Sequence, residues 1–352
     1  MIILNKKELT KQLTIHLKGL KLEKNKLKGV ILSFENNNLS VTSTNKLIYN
    51  MTTNSRFEGE GVTESRKFAV NVEEVINALK LSDEVEFVYD ILTIGKIGIN
   101  NIPKVDVNEY NFPKLEESTT YPIDFKSFTG SVSKISNCIP KNDVRAFLFN
   151  YVINKDEVIC SDGHRIACSN IPQTSIEALP IPAALGFMFP LLDNEGYIEK
   201  DKNYLILSTD KVSIQSLVNL DAGKMSSMYG QIKDKLSNTL TTTSYTIDRE
   251  EFASYVQHLN KSTKREKHNS CSPVRLDFKD NLLRIQNPNL PTVFTCKVSS
   301  DSEATFSING DYLYATLIKC KSKQITITLD NLYFNVIDEQ SNINQTICLM
   351  RL

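Results

Sequence analysis

Three segments of the chain share one layout, and their spacing of about 115 to 120 residues constrains the fold more than any other feature. Each segment opens with an amphipathic helix, continues with short strands, and then repeats a strand, a helix and further strands. Because the strands follow one another and do not alternate singly with helices, the pattern predicts an α+β fold. We expect three repeated domains, each with two helices packed on antiparallel sheets, over residues 1–117, 118–240 and 241–352.

The opening helix of each segment has apolar residues at helical spacing. These apolar faces are Leu9, Leu13, Leu17 and Leu20, then Phe125, Phe128, Val132 and Ile135, then Phe252, Val256 and Leu259. On the first helix, Lys7, Lys11 and Lys18 fall within about 40° of one another, opposite the leucines. A row of lysines is most often a solvated surface, but the same arrangement suits contacts with phosphate groups.

Composition indicates whether the chain could be a strongly basic, a disulfide-bonded or a membrane protein. The 41 basic and 41 acidic residues cancel, so any attraction to nucleic acid has to come from local sorting of charge. The seven cysteines are odd in number and form no Cys-x-x-Cys pair, which favours reduced thiols in a cytoplasmic protein. We expect no membrane span and no signal peptide, because the apolar runs are too short.

Motifs for catalysis, nucleotides or metals are weak. No G-x-x-x-x-G-K-[ST] phosphate loop occurs, and His16, His258 and His268 have no cysteine or carboxylate neighbours at metal spacing. Asp162 and Gly163, between two strand-like runs, predict a type I′ hairpin turn. Ser161, Asp162 and His164 could suggest a triad, but adjacent residues do not normally align as nucleophile, base and orienting group. We expect no catalysis, no cofactor and no metal.

Two motifs carry a resemblance to a known family. The chain ends in Cys348-Leu-Met-Arg-Leu352, and its middle contains Ser161-Asp-Gly-His-Arg-Ile-Ala167. With the threefold layout, they resemble the beta subunit of bacterial DNA polymerase III, the sliding clamp, which has a Met-Arg-Leu-like tail and a Thr-Asp-Gly-His-Arg-Leu-Ala-like turn. The resemblance implies the DNA clamp fold and a non-catalytic processivity factor. Such a protein would encircle duplex DNA as a head-to-tail homodimer.

The resemblance also implies three sets of functional residues. A pocket for short peptides of polymerases, clamp loaders and other partners would be formed by Leu148, Ser161, Gly163, His164, Arg165, Ile166, Ile232, Asn309, Tyr312, Leu332, Phe334, Ile347, Cys348, Leu349, Met350 and Arg351. DNA phosphates would be contacted, without reading sequence, by Lys7, Lys11, Lys18, Lys24, Arg66, Arg145, Lys264 and Arg275. The dimer would form through an apolar stripe on an edge strand, at Ile97 and Ile99.

The chain also departs from the family pattern. Ala183-Ala184 stands where a basic pair is common, Leu349 where proline is common, and the segment 223–232 where a proline and two arginines are common. The segment 261–270 is polar where clamps usually have aliphatic residues at the dimer contact. The host, and whether this is a main clamp or a second, plasmid- or phage-type copy, stay open. The alternatives are a clamp-like adaptor that binds peptides without encircling DNA and, ranked last, an enzyme using Asp162 and His164.

Overall fold

The computed structural model describes residues 2–21, 29–44, 49–59, 66–88, 91–100, 110, 115–192, 194–218, 222–236, 243–263, 272–299, 302–330 and 332–350. Of the predicted site residues, Lys24, Lys264 and Arg351 lie outside these ranges, as does most of the segment 261–270. The α-helices are α1 (Lys6–Leu20), α2 (Val72–Leu79), α3 (Phe125–Ile135), α4 (Ala222–Leu236), α5 (Arg249–Ser262) and α6 (Gly310–Leu317).

The chain packs as two compact units, one comprising residues 1–129 and 184–218. Its five-stranded sheet has the order β5 (Glu58–Gly59), β1 (Ile2–Ile3), β7 (Val85–Val88), β8 (Ile91–Ile94) and β9 (Ile97–Ile99). Its eight-stranded sheet has the order β10 (Thr119–Asp124), β15 (Glu195–Lys200), β16 (Tyr204–Ser208), β17 (Val212–Leu217), β4 (Tyr49–Arg56), β3 (Asn38–Thr44), β2 (Gly29–Glu35) and β6 (Arg66–Asn71). The core of this unit forms where α1 and α2 pack on the sheets.

The second unit comprises residues 130–183 and 219–352. Its eight-stranded sheet has the order β14 (Leu179–Pro182), β11 (Asn150–Asn154), β12 (Glu157–Ser161), β13 (Arg165–Asn170), β25 (Ile343–Cys348), β24 (Tyr333–Asp338), β23 (Gln324–Leu329) and β18 (Thr243–Asp248). Its four-stranded sheet has the order β21 (Val293–Lys297), β20 (Leu282–Gln286), β19 (Pro273–Lys279) and β22 (Ala304–Asn309). The α+β class predicted from the sequence is confirmed.

Each eight-stranded sheet contains strands from two of the three predicted domains. In the first unit β17 pairs with β4, and in the second unit β13 pairs with β25. Hydrogen-bonded strands in one sheet thus come from both sides of residue 117, and in the other sheet from both sides of residue 240. The domain boundaries at these two positions therefore stay a proposal. The second helix expected in the central repeat is replaced by 3-10 turns at Ala183–Phe187 and Phe189–Leu191.

Asn or Asp caps begin α1, α2, α3, α5 and α6, and each of these caps except Asn5 is the last residue of the preceding strand. The side chains of Asn5, Asn71, Asp248 and Asn309 accept backbone N–H groups of the first turns of α1, α2, α5 and α6. Asp124 accepts from Ser127 N in the same way at α3, at 3.1 Å. Such caps satisfy the N–H groups that a helix leaves unpaired at its start. This cap recurs in all three predicted repeats.

Candidate functional site

The second unit brings the central turn and the C-terminal tail side by side. Strand β25 pairs antiparallel with β13, so that Arg165 lies opposite Ile347. Just beyond the paired residues, Cys348 N donates to His164 O at 2.9 Å. The two motifs that carry the resemblance are thus neighbours in one sheet.

The turn between β12 and β13 differs from the predicted type I′ turn. A type I′ turn needs positive φ at two successive central residues, but here Gly163 has a φ of 84° and Asp162 is not among the residues with positive φ. Asp162 N donates to Arg165 O at 3.2 Å, so Gly163 and His164 lie at the tip of the turn, and of these two only Gly163 has a positive φ. A Cβ atom at Gly163 would also overlap the guanidinium group of Arg145. Glycine is therefore favoured here by conformation, whereas the contact with Arg145 involves the end of a flexible, exposed side chain that can shift.

A buried ion pair holds this turn in shape. Arg165 Nε and Nη2 donate to Asp162 Oδ2 at 2.9 and 2.8 Å, and the two side chains are only 7% and 8% exposed. The same carboxylate accepts the backbone N–H groups of His164 and Arg165. The guanidinium carbon lies 4.2 Å from the ring centroid of Tyr312, within the range of a cation–π contact. Each carboxylate oxygen of Asp162 thus accepts two hydrogen bonds within the turn.

This arrangement is not that of a nucleophile and its base. Ser161 Oγ donates to Arg165 O at 2.6 Å, and the ring of His164 stacks near Tyr312 with centroids 6.1 Å apart. Asp162 is bound to Arg165 and not to the imidazole of His164. Among the described residues, no group of three or more His, Cys, Asp or Glu side chains could hold a metal ion.

A small apolar cavity of about 30 Å³ opens beside the turn. Its walls include seven of the predicted pocket residues, namely Ser161, Gly163, His164, Arg165, Ile166, Ile232 and Cys348. Met228, Tyr333 and Thr346 complete the lining and were missed by the sequence analysis. Tyr333 and Thr346 could have been found only from the strand register, because β24 and β25 place them opposite Cys348 and Ile166 respectively.

The other predicted pocket residues that the structure describes do not line the cavity. Leu148, Phe334 and Ile347 are fully buried core residues. Asn309 caps α6, which carries Tyr312, and Leu332 is 54% exposed. The tail continues along this surface, with Leu349 N donating to Leu332 O at 3.0 Å and Met350 N to Ser307 O at 2.8 Å. The tail is therefore held by backbone hydrogen bonds as far as Met350.

Helix α4 forms one wall of the cavity and is fixed to the sheet. Met225 and Tyr229 are buried in one cluster with Leu148, Ile166 and Ile232. The hydroxyl group of Tyr229 lies 2.8 Å from Cys168 Sγ and donates to Glu157 Oε1 at 3.2 Å. Burial, followed by the nearby Cys168, raises the pKa of Tyr229 well above its usual value, so the phenol stays protonated and able to donate.

The predicted cationic face of α1 is present in the first unit. Lys7, Lys11 and Lys18 are exposed, while Leu9, Leu13 and Leu20 are buried on the opposite face. Within the described part of the chain, these three lysines have no ion-pair partner, whereas Lys6 and Lys21 pair with Asp83 and Glu73. The face is thus a local concentration of positive charge on a chain of zero net charge.

The predicted arginines differ from these lysines in their surroundings. Arg66 is exposed at the start of β6. Arg145 forms a two-pronged ion pair with Asp143 at 2.8–2.9 Å, and its hydrogen bonds lower the pKa of that carboxyl well below the usual range. Arg275 pairs with Asp277 at 3.0 Å. The positive charge of the last two is therefore largely compensated locally.

The predicted dimer stripe needs a correction at one of its two residues. Strand β9 is an edge strand of its sheet, and Ile97 is 36% exposed. Ile99 is 1% exposed, because its side chain packs into the core of the first unit. Of the two predicted residues, Ile97 is therefore the one that is exposed to meet another chain. The second unit has an edge strand of its own, β21, where Val293 is 50% exposed and Phe294 stacks on Tyr255 at 4.5 Å.

Comparisons with known proteins identify the fold. No protein-family model matches the chain, and no curated protein sequence matches it significantly. Among solved structures, the DNA polymerase III subunit beta from Pseudomonas aeruginosa covers 100% of both chains with a TM-score of 0.80 and 19% identity. The Caulobacter crescentus pol III beta has a TM-score of 0.81 at 14% identity, again over 100% of both chains. A Borrelia burgdorferi beta subunit, in complex with a natural product, has a TM-score of 0.79 at 14% identity, and the match covers 100% of this chain and 98% of that one. The chain therefore has the bacterial sliding-clamp fold along its whole length.

Among the described helices, none is both long and apolar enough to cross a lipid bilayer.

Proposed function

We propose that this protein is a DNA sliding clamp, a non-catalytic processivity factor of a replicative DNA polymerase acting in the cytoplasm. Two chains form a head-to-tail ring around duplex DNA, and the cavity beside Gly163 captures peptides of the polymerase, the clamp loader and other partners. The observation that carries this proposal is the clamp fold over 100% of the chain, at a TM-score of 0.80. The turn and the tail, which meet in β13 and β25, support it independently.

The cavity has the chemistry that an extended peptide requires. Ile166 and Ile232 supply aliphatic walls, and the exposed His164 supplies a polar group, whereas the hydroxyl group of Thr346 is bonded to Asn335. Peptide sites commonly combine a pocket for one or two apolar anchors with a few hydrogen-bonding groups that fix the direction of the peptide. The exposed Leu332 next to the tail extends this apolar surface beyond the cavity.

The surface of α1 has the chemistry that a sliding contact requires. Lysines at Lys7, Lys11 and Lys18 can contact phosphates, which carry no sequence information. The local ion pairs of Arg145 and Arg275 make these two arginines weaker candidates for DNA contact. The first unit should therefore contribute more to DNA attraction than these two positions of the second unit.

Two strands at the edges of the described sheets support the proposal of a head-to-tail ring. Strand β9 ends one sheet of the first unit and β21 ends one sheet of the second, and each presents one exposed aliphatic side chain. Unpaired edges with apolar side chains are normally covered. Pairing β9 of one chain with β21 of the next is a heterologous contact, which must close into a ring to avoid filaments.

Topological retention on DNA distinguishes a clamp from an adaptor. The purified protein is incubated with linear duplex DNA, the DNA is circularised by ligation, and free protein is removed by gel filtration at about 0.5 M salt, where purely electrostatic binding is lost. We expect protein to stay with the circles and to be released when a restriction enzyme linearises them. Absence of retention, together with peptide binding, would favour the adaptor.

Charge reversal tests which surface contacts the DNA. The triple variant Lys7→Glu, Lys11→Glu and Lys18→Glu should load less and bind linear DNA with a smaller salt slope, by roughly one unit per lost phosphate contact. A matched triple variant at three other exposed lysines of the same unit, Lys80, Lys202 and Lys211, should behave like the parent protein. Equal effects of the two triple variants would contradict a specific role for α1.

Sedimentation tests the ring contact. The variant Ile97→Asp places a carboxylate on the β9 edge and should shift the protein from dimer to monomer at about 50 µM. The matched control is Leu81→Asp, since Leu81 is 76% exposed in the same unit but lies outside the strands. A parent protein that is monomeric throughout this range would remove the support for a ring.

A further inference from the structure

A second and much larger cavity lies on the four-stranded sheet of the second unit. Its volume is about 660 Å³, and it opens at the hairpin between β19 and β20 and at the start of β22. Cavities that hold ligands are commonly of this size, roughly 300 to 1,000 Å³. It shares no lining residue with the cavity beside Gly163, so it is a separate feature of the surface.

This larger cavity lies on the face of the sheet that is turned away from the core. Strand pairing places Asp277 opposite Arg284 on β20 and opposite Thr305 on β22. Lys279 lies opposite Leu282 on the same face. Successive side chains of a strand point to opposite faces, and the residues between these positions are buried in the core, namely Leu276, Leu283 and Ile285. Side chains from three strands therefore meet around one opening.

Leu282 is an exposed apolar residue within this charged surface. Its side chain is 37% exposed. Lys279 on β19 and Lys297 on β21 lie opposite it, one on each side, and Arg284 follows two residues later on the same face. One aliphatic side chain is thus surrounded by three cations.

Two of the acidic groups at this cavity already have cationic partners. Asp277 accepts hydrogen bonds from Arg275 Nε at 3.0 Å and from Thr305 Oγ1 at 2.8 Å. Glu303 pairs with Lys279 at 3.2 Å. These two carboxylates therefore do not neutralise the remaining cations.

The charges that are left over favour an anionic partner. Within the described part of the chain, the side chains of Arg284 and Lys297 have no hydrogen-bond or ion-pair partner. Asp280, in the turn between β19 and β20, is the one lining carboxylate of which the same is true. Two cations against one carboxylate leave an excess of one positive charge beside the exposed Leu282.

We propose that this cavity is a second docking site for partner proteins, and that it takes an acidic segment with an aliphatic residue among its carboxylates. The aliphatic residue packs on Leu282, and the carboxylates bind Arg284 and Lys297. Complementary charge around an apolar contact gives such a site its selectivity. The site goes beyond the peptide-binding function proposed above, because it uses neither the turn nor the tail.

Strand β22 brings this site close to the tail. Thr305 lines the larger cavity, and Ser307, two residues further along the strand, accepts the backbone N–H group of Met350. Two residues of a strand span about 7 Å. One partner protein can therefore fill the cavity beside Gly163 with one segment and place an adjoining acidic segment in the larger cavity.

Peptide selection tests the site without assuming a partner. A display library of short random peptides is selected on the full-length protein. Clones are kept that lose binding to Arg284→Glu and retain binding to Lys141→Glu, a matched charge reversal at an exposed residue of the same unit that does not line the cavity. We expect these clones to carry several acidic residues around one Leu, Ile or Val. Failure to recover such clones, or clones without an excess of acidic residues, would overturn the proposal.

Fluorescence titrations of one selected peptide test each part of the site. Arg284→Glu should raise the dissociation constant about tenfold. Arg284→Gln, which removes the charge without reversing it, should have a smaller effect in the same direction, and added salt should weaken binding. Replacing Leu282 by Asn, or the aliphatic residue of the peptide by Asn, should also weaken binding. Unchanged affinity after both of these replacements would reduce the site to a plain contact between charges and contradict the proposal.

A truncated variant separates this site from the cavity beside Gly163. Removing residues 349–352 should leave the affinity for the selected peptide unchanged. Loss of binding in that variant would place the peptide at the tail, which would overturn the second site while supporting the first. Circular dichroism and sedimentation should be the same for the parent protein and the point variants, so that a changed affinity reports on the cavity and not on folding or assembly.

Discussion

Replacing Asp162 with alanine should lower the free energy of unfolding of the second unit by about 3–5 kcal/mol. The substitution leaves the guanidinium group of Arg165 buried, at 7% exposure, without its carboxylate. It also removes the acceptor for the backbone N–H groups of His164 and Arg165. Urea unfolding followed by circular dichroism measures the loss. The cavity beside this turn should lose its shape together with the stability.

Two comparisons separate the buried charge from other effects of the substitution. In the double variant Asp162→Ala, Arg165→Met, no unpaired charge remains, so a large part of the stability should return. Asp143→Ala breaks the exposed ion pair with Arg145 and should have no measurable effect, because exposed pairs contribute little. A cost below about 1 kcal/mol for Asp162→Ala would show that the buried pair does not hold the turn.

The local elements could be predicted from the sequence because their patterns lie within one turn or one strand. The leucine stripe of α1 predicted a helix with a cationic outer face, and the structure confirms that Leu9 and Leu13 are buried while Lys11 is exposed. The recurring Asn and Asp caps, as at Asn5 and Asp248, are a further local signal that marks the helix starts. They could have strengthened the repeat assignment.

The sequence could not predict features that depend on contacts between residues far apart in the chain. The burial of Ile99 follows from packing across the five-stranded sheet, and a period-two pattern cannot distinguish it from the exposed Ile97. The turn type depends on the Asp162–Arg165 pair, because the dipeptide Asp-Gly alone favours type I′. Helix α4, which supplies Met228, has little local signal, and of its residues only Ile232 was predicted for the site from the resemblance.

The same distinction applies to the candidate site. The resemblance supplied the residues of the turn and the tail, six of which line the cavity, and also Ile232 of α4. It could not supply Met228, because the chain departs from the family pattern in that segment. Partner specificity is therefore expected to reside where the chain is least like its structural neighbours.

A decrease in pH from 7 to 4.5 should lower the stability of the first unit by about 2–3 kcal/mol through His16 alone. His16 is fully buried on the inner face of α1, where Nδ1 lies 2.6 Å from Ser43 Oγ and Nε2 lies 3.0 Å from Thr53 Oγ1. These two hydroxyl groups satisfy a neutral imidazole, since each can donate or accept. Burial lowers the pKa of His16 from 6.5 to about 3.

The direction of the effect follows from which state binds the proton. In the unfolded chain His16 becomes protonated as the pH falls through 6.5, whereas in the folded protein it stays neutral until about pH 3. The stability is therefore complete above pH 6.5 and falls by about 1.4 kcal/mol per pH unit between these two values. Urea unfolding at pH 7.0, 6.0, 5.0 and 4.5 measures the slope, and because carboxylates begin to titrate near pH 5, the contribution of His16 is taken as the difference between the parent protein and a variant without this imidazole. His16→Gln should remove this part of the slope, and His258→Gln, at an exposed histidine, should retain it. Equal slopes in the parent protein and His16→Gln would mean that the buried imidazole takes up a proton in the folded state, and that the hydroxyl pair of Ser43 and Thr53 accepts the charged ring.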